Sequence, residues 1–242
     1  MSDISKLREM VAQSCRVLGK LNLTKEPSGH VSARVPGEDR VLIKARGPEE
    51  SGLRFVSARD IITVDFNGKK VAGDDGLESP QEVFIHTWLY KTRPDVQCVV
   101  HVHPLTVVLF TICNKPLQPL YGAYDPSGLR LLVDGLATYP RSITVSNEKL
   151  GEEFAHAMGD KQACLMRGHG ITSAGPTIEE ATLTAIKLND AAVINYQASL
   201  LGTPQPIERE DIEILVGNAR RRNSSVHSNS NWRYYCKLLD EE

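Results

Sequence analysis

The run Cys98-Val99-Val100-His101-Val102-His103 constrains this chain more than any other stretch. Its β-branched valines crowd a helix and suit a pleated strand. Alternate strand residues share a face, so His101 and His103 project together while Val100 and Val102 pack on the other side. Two imidazoles placed this way can grip one cation, and zinc, manganese, iron and cobalt all accept imidazole nitrogen. Taken alone, the pair fits two ordinary histidines at a strand end equally well.

Ile4, Leu7, Val11, Leu18 and Leu21 recur near helical spacing and predict an amphipathic opening helix. His30 to Val35 and Val41 to Lys44 flank a Pro-Gly-Glu-Asp turn and read as a hairpin. Ile61 to Phe66 reads as a strand closed by Asn67-Gly68, with its partner beginning at Val71. A helix is expected from Ser79, with Pro80 at its first position and Glu82 in a capping box, stopping before Pro94. Ala163 to Met166 is a further apolar run that ends at Arg167-Gly168-His169-Gly170. Thr177 and Glu180 form a second capping box ahead of an Ala-rich helix from Ile178 to Leu201, which Pro204 and Pro206 end. Asn223 to Asn231 is polar and reads as a loop or linker. Trp232 to Leu239 is apolar again, so this tail is expected to dock on the body or on a neighbouring subunit. The division is therefore one domain over residues 1–222 and a linker with its tail over 223–242. Strands interleaved with helices predict an α/β protein.

A chain of 242 residues with 41% hydrophobic and 24% charged residues has the composition of a folded domain. A net charge of -2 and a pI of about 6.4 give no basic field for nucleic acid or an anionic membrane. The one basic cluster, Arg220 to Arg222, reads as a solvated helix end. Five scattered cysteines without a CxxC pair build neither a disulfide framework nor a thiolate zinc site, and reduced thiols fit the cytoplasm. No apolar run reaches membrane-spanning length, and the first residues lack the apolar core of a signal peptide.

His169 lies between Gly168 and Gly170, straight after a predicted strand. Flanking glycines let backbone approach a ligand closely and take positive φ, although a turn that happens to hold a histidine has the same pattern. Glu82 would supply a carboxylate, but it is also the capping-box residue of its own helix, and one carboxylate cannot easily do both. His86 shares a helix face with Glu82 and is expected to pack or to support the site rather than ligate. Three imidazoles and one carboxylate resemble a catalytic metal site, since structural zinc sites are closed and rich in thiolate.

Glu82-x-x-x-His86, Arg93-Pro94-Asp95, Val100-His101-Val102-His103 and Gly168-His169-Gly170, with Gly29 to Arg34 upstream, resemble the class II aldolase/adducin superfamily from about Leu7 to Leu201. The resemblance implies a three-layer α/β/α fold around a mainly antiparallel sheet, and a homotetramer with active sites at subunit boundaries. It implies one divalent metal per subunit, manganese or zinc, on His101, His103 and His169, with Glu82 as an adjacent ligand and catalytic acid/base.

The departures point to one branch. The family's sugar-phosphate aldolases have Asn where this chain has His30, Thr-Gly where it has Arg46-Gly47, and Ser-Ser where it has Pro80-Gln81. A phosphate cradle is disfavoured, and Arg46 suits a planar carboxylate instead. This pattern resembles the branch that includes the hydroxymethylpyridine-dicarboxylate and dihydroxyphthalate decarboxylases. The implied activity is carbon–carbon lysis, namely decarboxylation of an ortho-hydroxylated aromatic or pyridine dicarboxylate such as 3-hydroxy-2-methylpyridine-4,5-dicarboxylate, through an enolate that the metal stabilises. Glu82 would move the proton, while Arg46, His30 and Gly47 would bind the small carboxylate substrate. Tyr121, Tyr124 and the tail tyrosines are candidate proton donors. An aldolase acting on a hydroxy-ketone or sugar phosphate, a dehydratase, and a non-catalytic adducin-like module remain the alternatives.

Overall fold

The computed structural model describes residues 3–221 and 224–241. Helix α1 (Asp3–Lys20) buries Val11, Cys15 and Leu18 along one stripe, as the helical periodicity requires. Strands β1 (His30–Arg34) and β2 (Arg40–Lys44) form the expected antiparallel hairpin, with Ser32 opposite Ile43. Strand β3 (Ile61–Asp65) turns through Asn67-Gly68 into β4 (Lys70–Ala72), and Gly68 takes the positive φ of 80° that the turn needs. With β5 (Cys98–Val102), β6 (Ala137–Tyr139), β7 (Ala163–Met166) and β8 (Gly170–Gly175) these make one eight-stranded sheet in the order β4-β3-β2-β1-β5-β8-β7-β6. Among the described residues only the β6–β7 pairing is parallel.

Helices cover both faces. On one side α1 and α6 (Ile178–Leu201) press Val11, Leu18, Ile186 and Leu188 against Val100 and Val102. On the other, α2 (Val83–Thr92) and α5 (Glu148–Met158) bring Ile85, Leu89, Phe154 and Met158 onto Val99. Each fully buried side chain of this kind contributes roughly 1.5–3 kcal/mol, so β5 is clamped from both faces. The expected three-layer architecture is therefore the observed one. Short helices α3 (Leu105–Ile112) and α4 (Pro126–Val133) and the longer α7 (Arg209–Arg221) complete the chain up to the tail.

Two local expectations are corrected. Helix α2 begins at Val83 rather than Ser79, because the Ser79 hydroxyl donates to the Gly68 carbonyl at 2.7 Å and caps nothing. Glu82 becomes the residue that precedes the helix, and its side chain makes no capping bond. The polar segment expected as a loop is helical, as part of α8 (Ser224–Lys237). There Trp232 is buried, and Tyr235, Cys236 and Leu239 pack against the α1–α6 core, so tertiary contacts override the weak propensity of Ser and Asn. Arg222 and the expected boundary between residues 222 and 223 lie outside the described residues. Among the described residues, no helix is long and apolar enough to cross a membrane.

Candidate metal centre

Four side chains from separate parts of the chain meet beside β5. Glu82 stands at the entrance to α2, His101 near the end of β5, His103 one step beyond it, and His169 in the turn between β7 and β8. Their ligand atoms all lie within 4.8 Å of one another. The Nε2 atoms of His101 and His103 are 2.9 Å apart. Glu82 Oε2 is 3.4 Å from His101 Nε2 and 3.2 Å from His169 Nε2.

Each donor is aimed by its neighbours. The Thr172 hydroxyl donates to Met166 Sδ at 3.4 Å, and its oxygen lies 3.1 Å from His101 Nδ1. With a cation in place, a proton on Nδ1 held by Thr172 would leave Nε2 as a lone pair toward the cluster. The two glycines around His169 have separate duties. Gly168 takes a φ of 61°, and a Cβ on Gly170 would lie 2.4 Å from the Val102 carbonyl and 2.7 Å from His103 Cδ2. Only a bare backbone lets the start of β8 pass so close to His103. On the carboxylate side, the Val145 N–H donates to Glu82 Oε1 at 2.8 Å, so Oε2 alone faces the imidazoles.

Burial by itself would raise the Glu82 pKa, but the hydrogen bonds and charges of His101 and His169 outweigh it and hold the carboxyl far below its ordinary range. Burial, then the charges of His101 and His169, lowers His103 to about 3. Burial is also the main cause of the downward shift of His101. Neutral imidazoles and an ionised carboxylate are the protonation states a cation needs. Donor atoms around one zinc, at about 2.1 Å from it, stand roughly 3 Å apart, and the 2.9, 3.2 and 3.4 Å separations are close to that value. The donor set therefore fits a divalent cation, and among the described residues His169 Nδ1, sealed from solvent without a partner, is the one polar atom of the cluster left unsatisfied.

His30 and His86 lie beside this cluster, and neither is among the four donors. The His30 ring stacks on His101 with centroids 5.1 Å apart, and its Nδ1 meets His86 Nε2 at 2.6 Å. Burial keeps both neutral, with His86 lowered to about 3 and His30 lowered well below its usual value. Sequence reasoning missed Thr172, Ser32 and Tyr90. The alternation His30-Val31-Ser32 places Ser32 on the face of His30, and Tyr90 follows His86 by one helical turn, so both were open to discovery from spacing. Thr172 lies opposite His101 across the β5–β8 ladder, a register that needs the three-dimensional pairing.

Arg46 and Gly47 stand apart from the four. Among the described residues no hydrogen bond or ion pair joins either to the cluster. Arg46 pairs instead with Glu78 at 2.7 Å, with both side chains more than half exposed, and its backbone bridges that of Glu78. Gly47 is a glycine for a local reason, because a Cβ there would lie 2.8 Å from Leu77 Cδ2. It lines a cavity of about 330 Å³ with Lys44, Glu50 and Asp60, in which the Lys44 ammonium is already paired with Glu50. None of Tyr121, Tyr124, Tyr234 and Tyr235 hydrogen-bonds to a member of the cluster, and the Tyr121 hydroxyl is sealed without a partner.

The profile of the Class II Aldolase and Adducin N-terminal domain family matches residues 9–196. The chain is 41% identical over 198 residues to a 3,4-dihydroxyphthalate decarboxylase of Arthrobacter keyseri, with 81% of this chain and 79% of that one covered. It is 38% identical over 211 residues to a protein of the same name from Terrabacter sp. (strain DBF63), with 86% and 88% covered. A solved aldolase II superfamily protein from Pseudomonas syringae superposes with a TM-score of 0.87 at 22% identity, covering 99% of this chain and 94% of that one, which is a likeness of fold alone. Because the family profile spans the Glu82 turn, β5 and the His169 turn together, this chain belongs to the class II aldolase and adducin family.

Proposed function

We propose that this enzyme, a metal-dependent carboxy-lyase, decarboxylates an ortho-hydroxylated aromatic or pyridine dicarboxylate, such as 3,4-dihydroxyphthalate or 3-hydroxy-2-methylpyridine-4,5-dicarboxylate. The observation that carries this reading is the 41% and 38% identity, over most of both chains, with two proteins named 3,4-dihydroxyphthalate decarboxylase. The four converging donors support it, since three imidazoles leave a fourth position that Glu82 can yield to a substrate oxygen.

His101, His103 and His169 would hold one zinc or manganese ion per subunit, with Glu82 beside them. Such a cation would supply Lewis-acid stabilisation of the negative charge that develops on the substrate. Glu82, ionised at rest, takes the proton of the ring hydroxyl and passes it to the ring carbon that bears the leaving carboxylate. The ring is then a ketone with that carboxylate in the β position. The carbon–carbon bond breaks, CO2 leaves, and the electron pair returns to the ring oxygen. The Val145 N–H keeps Glu82 Oε1 out of this exchange. His30 contacts the substrate beside His101, while Arg46, released from Glu78, takes the second carboxylate with Gly47 at its side. The active unit is a homotetramer with sites at subunit boundaries, in keeping with exposed apolar residues such as Leu105, Ile112 and Tyr124.

The test is a substrate panel. Metal-loaded protein is incubated with hydroxylated benzene and pyridine dicarboxylates and, separately, with sugar phosphates. Release of CO2 from the first group is expected. Release of aldehyde from sugar phosphates with no CO2 from any dicarboxylate would replace this reading with an aldolase.

A further inference from the structure

Four buried side chains run inward from the metal centre in single file. His30 Nδ1 meets His86 Nε2 at 2.6 Å, His86 Nδ1 meets Ser32 Oγ at 2.6 Å, and Ser32 Oγ meets Tyr90 Oη at 2.8 Å. Ser32 and His86 are sealed from solvent and Tyr90 is 2% exposed. Among the described residues the Tyr90 hydroxyl meets one further group, the Val99 backbone N–H, which can only donate to it, so Ser32 is the acceptor open to the phenolic proton, and His86 has no further partner.

Counting protons fixes the direction of this file. A buried charge on either ring is disfavoured, so each imidazole carries one proton. If His30 Nδ1 donates to His86, then His86 Nδ1 must donate to Ser32. Ser32 then either donates to Tyr90, which strands the phenolic proton, or accepts from Tyr90 too, which strands its own. Each option leaves a buried donor without an acceptor, the costly case for a polar group. In the reverse direction every proton is spent. Tyr90 donates to Ser32, Ser32 to His86 Nδ1, and His86 Nε2–H to His30 Nδ1.

We propose that the file runs outward from Tyr90 to His30 and so holds His30 with its proton on Nε2, as a hydrogen-bond donor offered to a ligand at the metal centre. His30 Nε2 has no hydrogen-bond partner among the described residues, and the residue keeps 7% of its surface exposed. Its ring is stacked on that of His101, which places this donor next to a metal ligand. The ligand must therefore present an oxygen acceptor at this point, such as a carboxylate or phenolate, and a group that can only donate there, such as an ammonium, is rejected. His30 is then a binding residue and not a base, because its outward nitrogen is already protonated. Ser32, His86 and Tyr90 are positioning residues that act through it. The polarity stands independently of the decarboxylase reading, and only the identity of the ligand as a hydroxy-carboxylate rests on it.

Long-range proton–nitrogen NMR of the zinc-loaded, nitrogen-15-labelled protein reads the tautomers directly, with ring signals assigned from His30→Gln and His86→Gln. Both rings are expected to carry their proton on Nε2, and a proton on Nδ1 of either overturns the proposal. Ser32→Ala removes the donor that pins His86, so its spectrum should show both tautomers of His86 and His30 at unchanged zinc stoichiometry. A spectrum identical to wild type overturns the positioning role, and if Ser32→Ala does not fold, the wild-type tautomers alone decide. Salicylate, an ortho-hydroxy-carboxylate, is the binding probe, and His30→Leu should weaken it by roughly tenfold to a hundredfold. Equal affinity in His30→Leu and wild type overturns the donor role. Protein that shows the Nε2 tautomers but binds no salicylate keeps the polarity and discards the decarboxylase substrate class.

Discussion

The backbone N–H of Val145 holds one oxygen of Glu82 at 2.8 Å, and this leaves the other oxygen as the only part of the carboxylate facing His101 and His169. A carboxylate fixed on one side and open on the other suits a proton shuttle better than a plain ligand. Glu82→Gln keeps the acceptor for Val145 and removes the titratable group. It should retain one metal per chain while turnover falls by about 10²–10⁴. Metal analysis alongside single-turnover kinetics checks this, and full activity in the variant would end the shuttle role.

Gly170 is the tightest point of the site, since an added Cβ would stand 2.4 Å from the Val102 carbonyl. Gly170→Ala should cost about 1–3 kcal/mol of stability, as overpacking does, and should weaken metal binding by displacing His103. Thermal melts and a metal titration of the variant give both numbers. A wild-type melting temperature with wild-type affinity would show that the approach is not a constraint.

The buried histidines make the apoprotein acid-sensitive. His86 is lowered from its ordinary 6.5 to about 3, and His30, His101 and His103 are shifted in the same direction. As pH falls below 6.5, the unfolded chain takes up protons that the folded chain refuses, so unfolding is favoured. The stability from neutral burial is complete above about pH 6.5 and is lost progressively down to about pH 3. Melts of metal-free protein between these limits should show a falling midpoint, and a flat profile would contradict the assignment of neutral rings.

Arg46 distinguishes substrate binding from structure. Its exposed pair with Glu78 contributes about 0–1 kcal/mol, so Arg46→Ala should leave the melting temperature almost unchanged. If the guanidinium takes the second carboxylate, KM for a dicarboxylate should rise roughly tenfold or more, with little change for the mono-acid analogue. Equal effects on both substrates would remove Arg46 from the binding site.

The parts of this molecule legible in the sequence are those carried by local rules. The β5 run, the Asn67-Gly68 turn and α6 follow from period and turn chemistry, and the four donors follow from an alternating histidine pair, a Gly-flanked histidine and a Glu one turn from His86. Ser79, Pro80 and Glu82 spell a capping box, yet the hydroxyl bonds Gly68 and the helix starts later. A local signal lost there to a contact eleven residues away. Strand β8 was missed because all six of its residues are buried, which erases the two-residue alternation. The polar start of α8 follows a packing demand from Trp232 that composition does not carry.

In the proposed mechanism turnover depends on one cation held by His101, His103, His169 and Glu82. Bound metal and CO2 release measured together in wild type and His101→Ala decide whether it does. One zinc or manganese per wild-type chain is expected, with activity that disappears on chelation and returns on reloading, and loss of both metal and turnover in His101→Ala. Full CO2 release from metal-free protein, or a His101→Ala variant that keeps its metal and its rate, would contradict it.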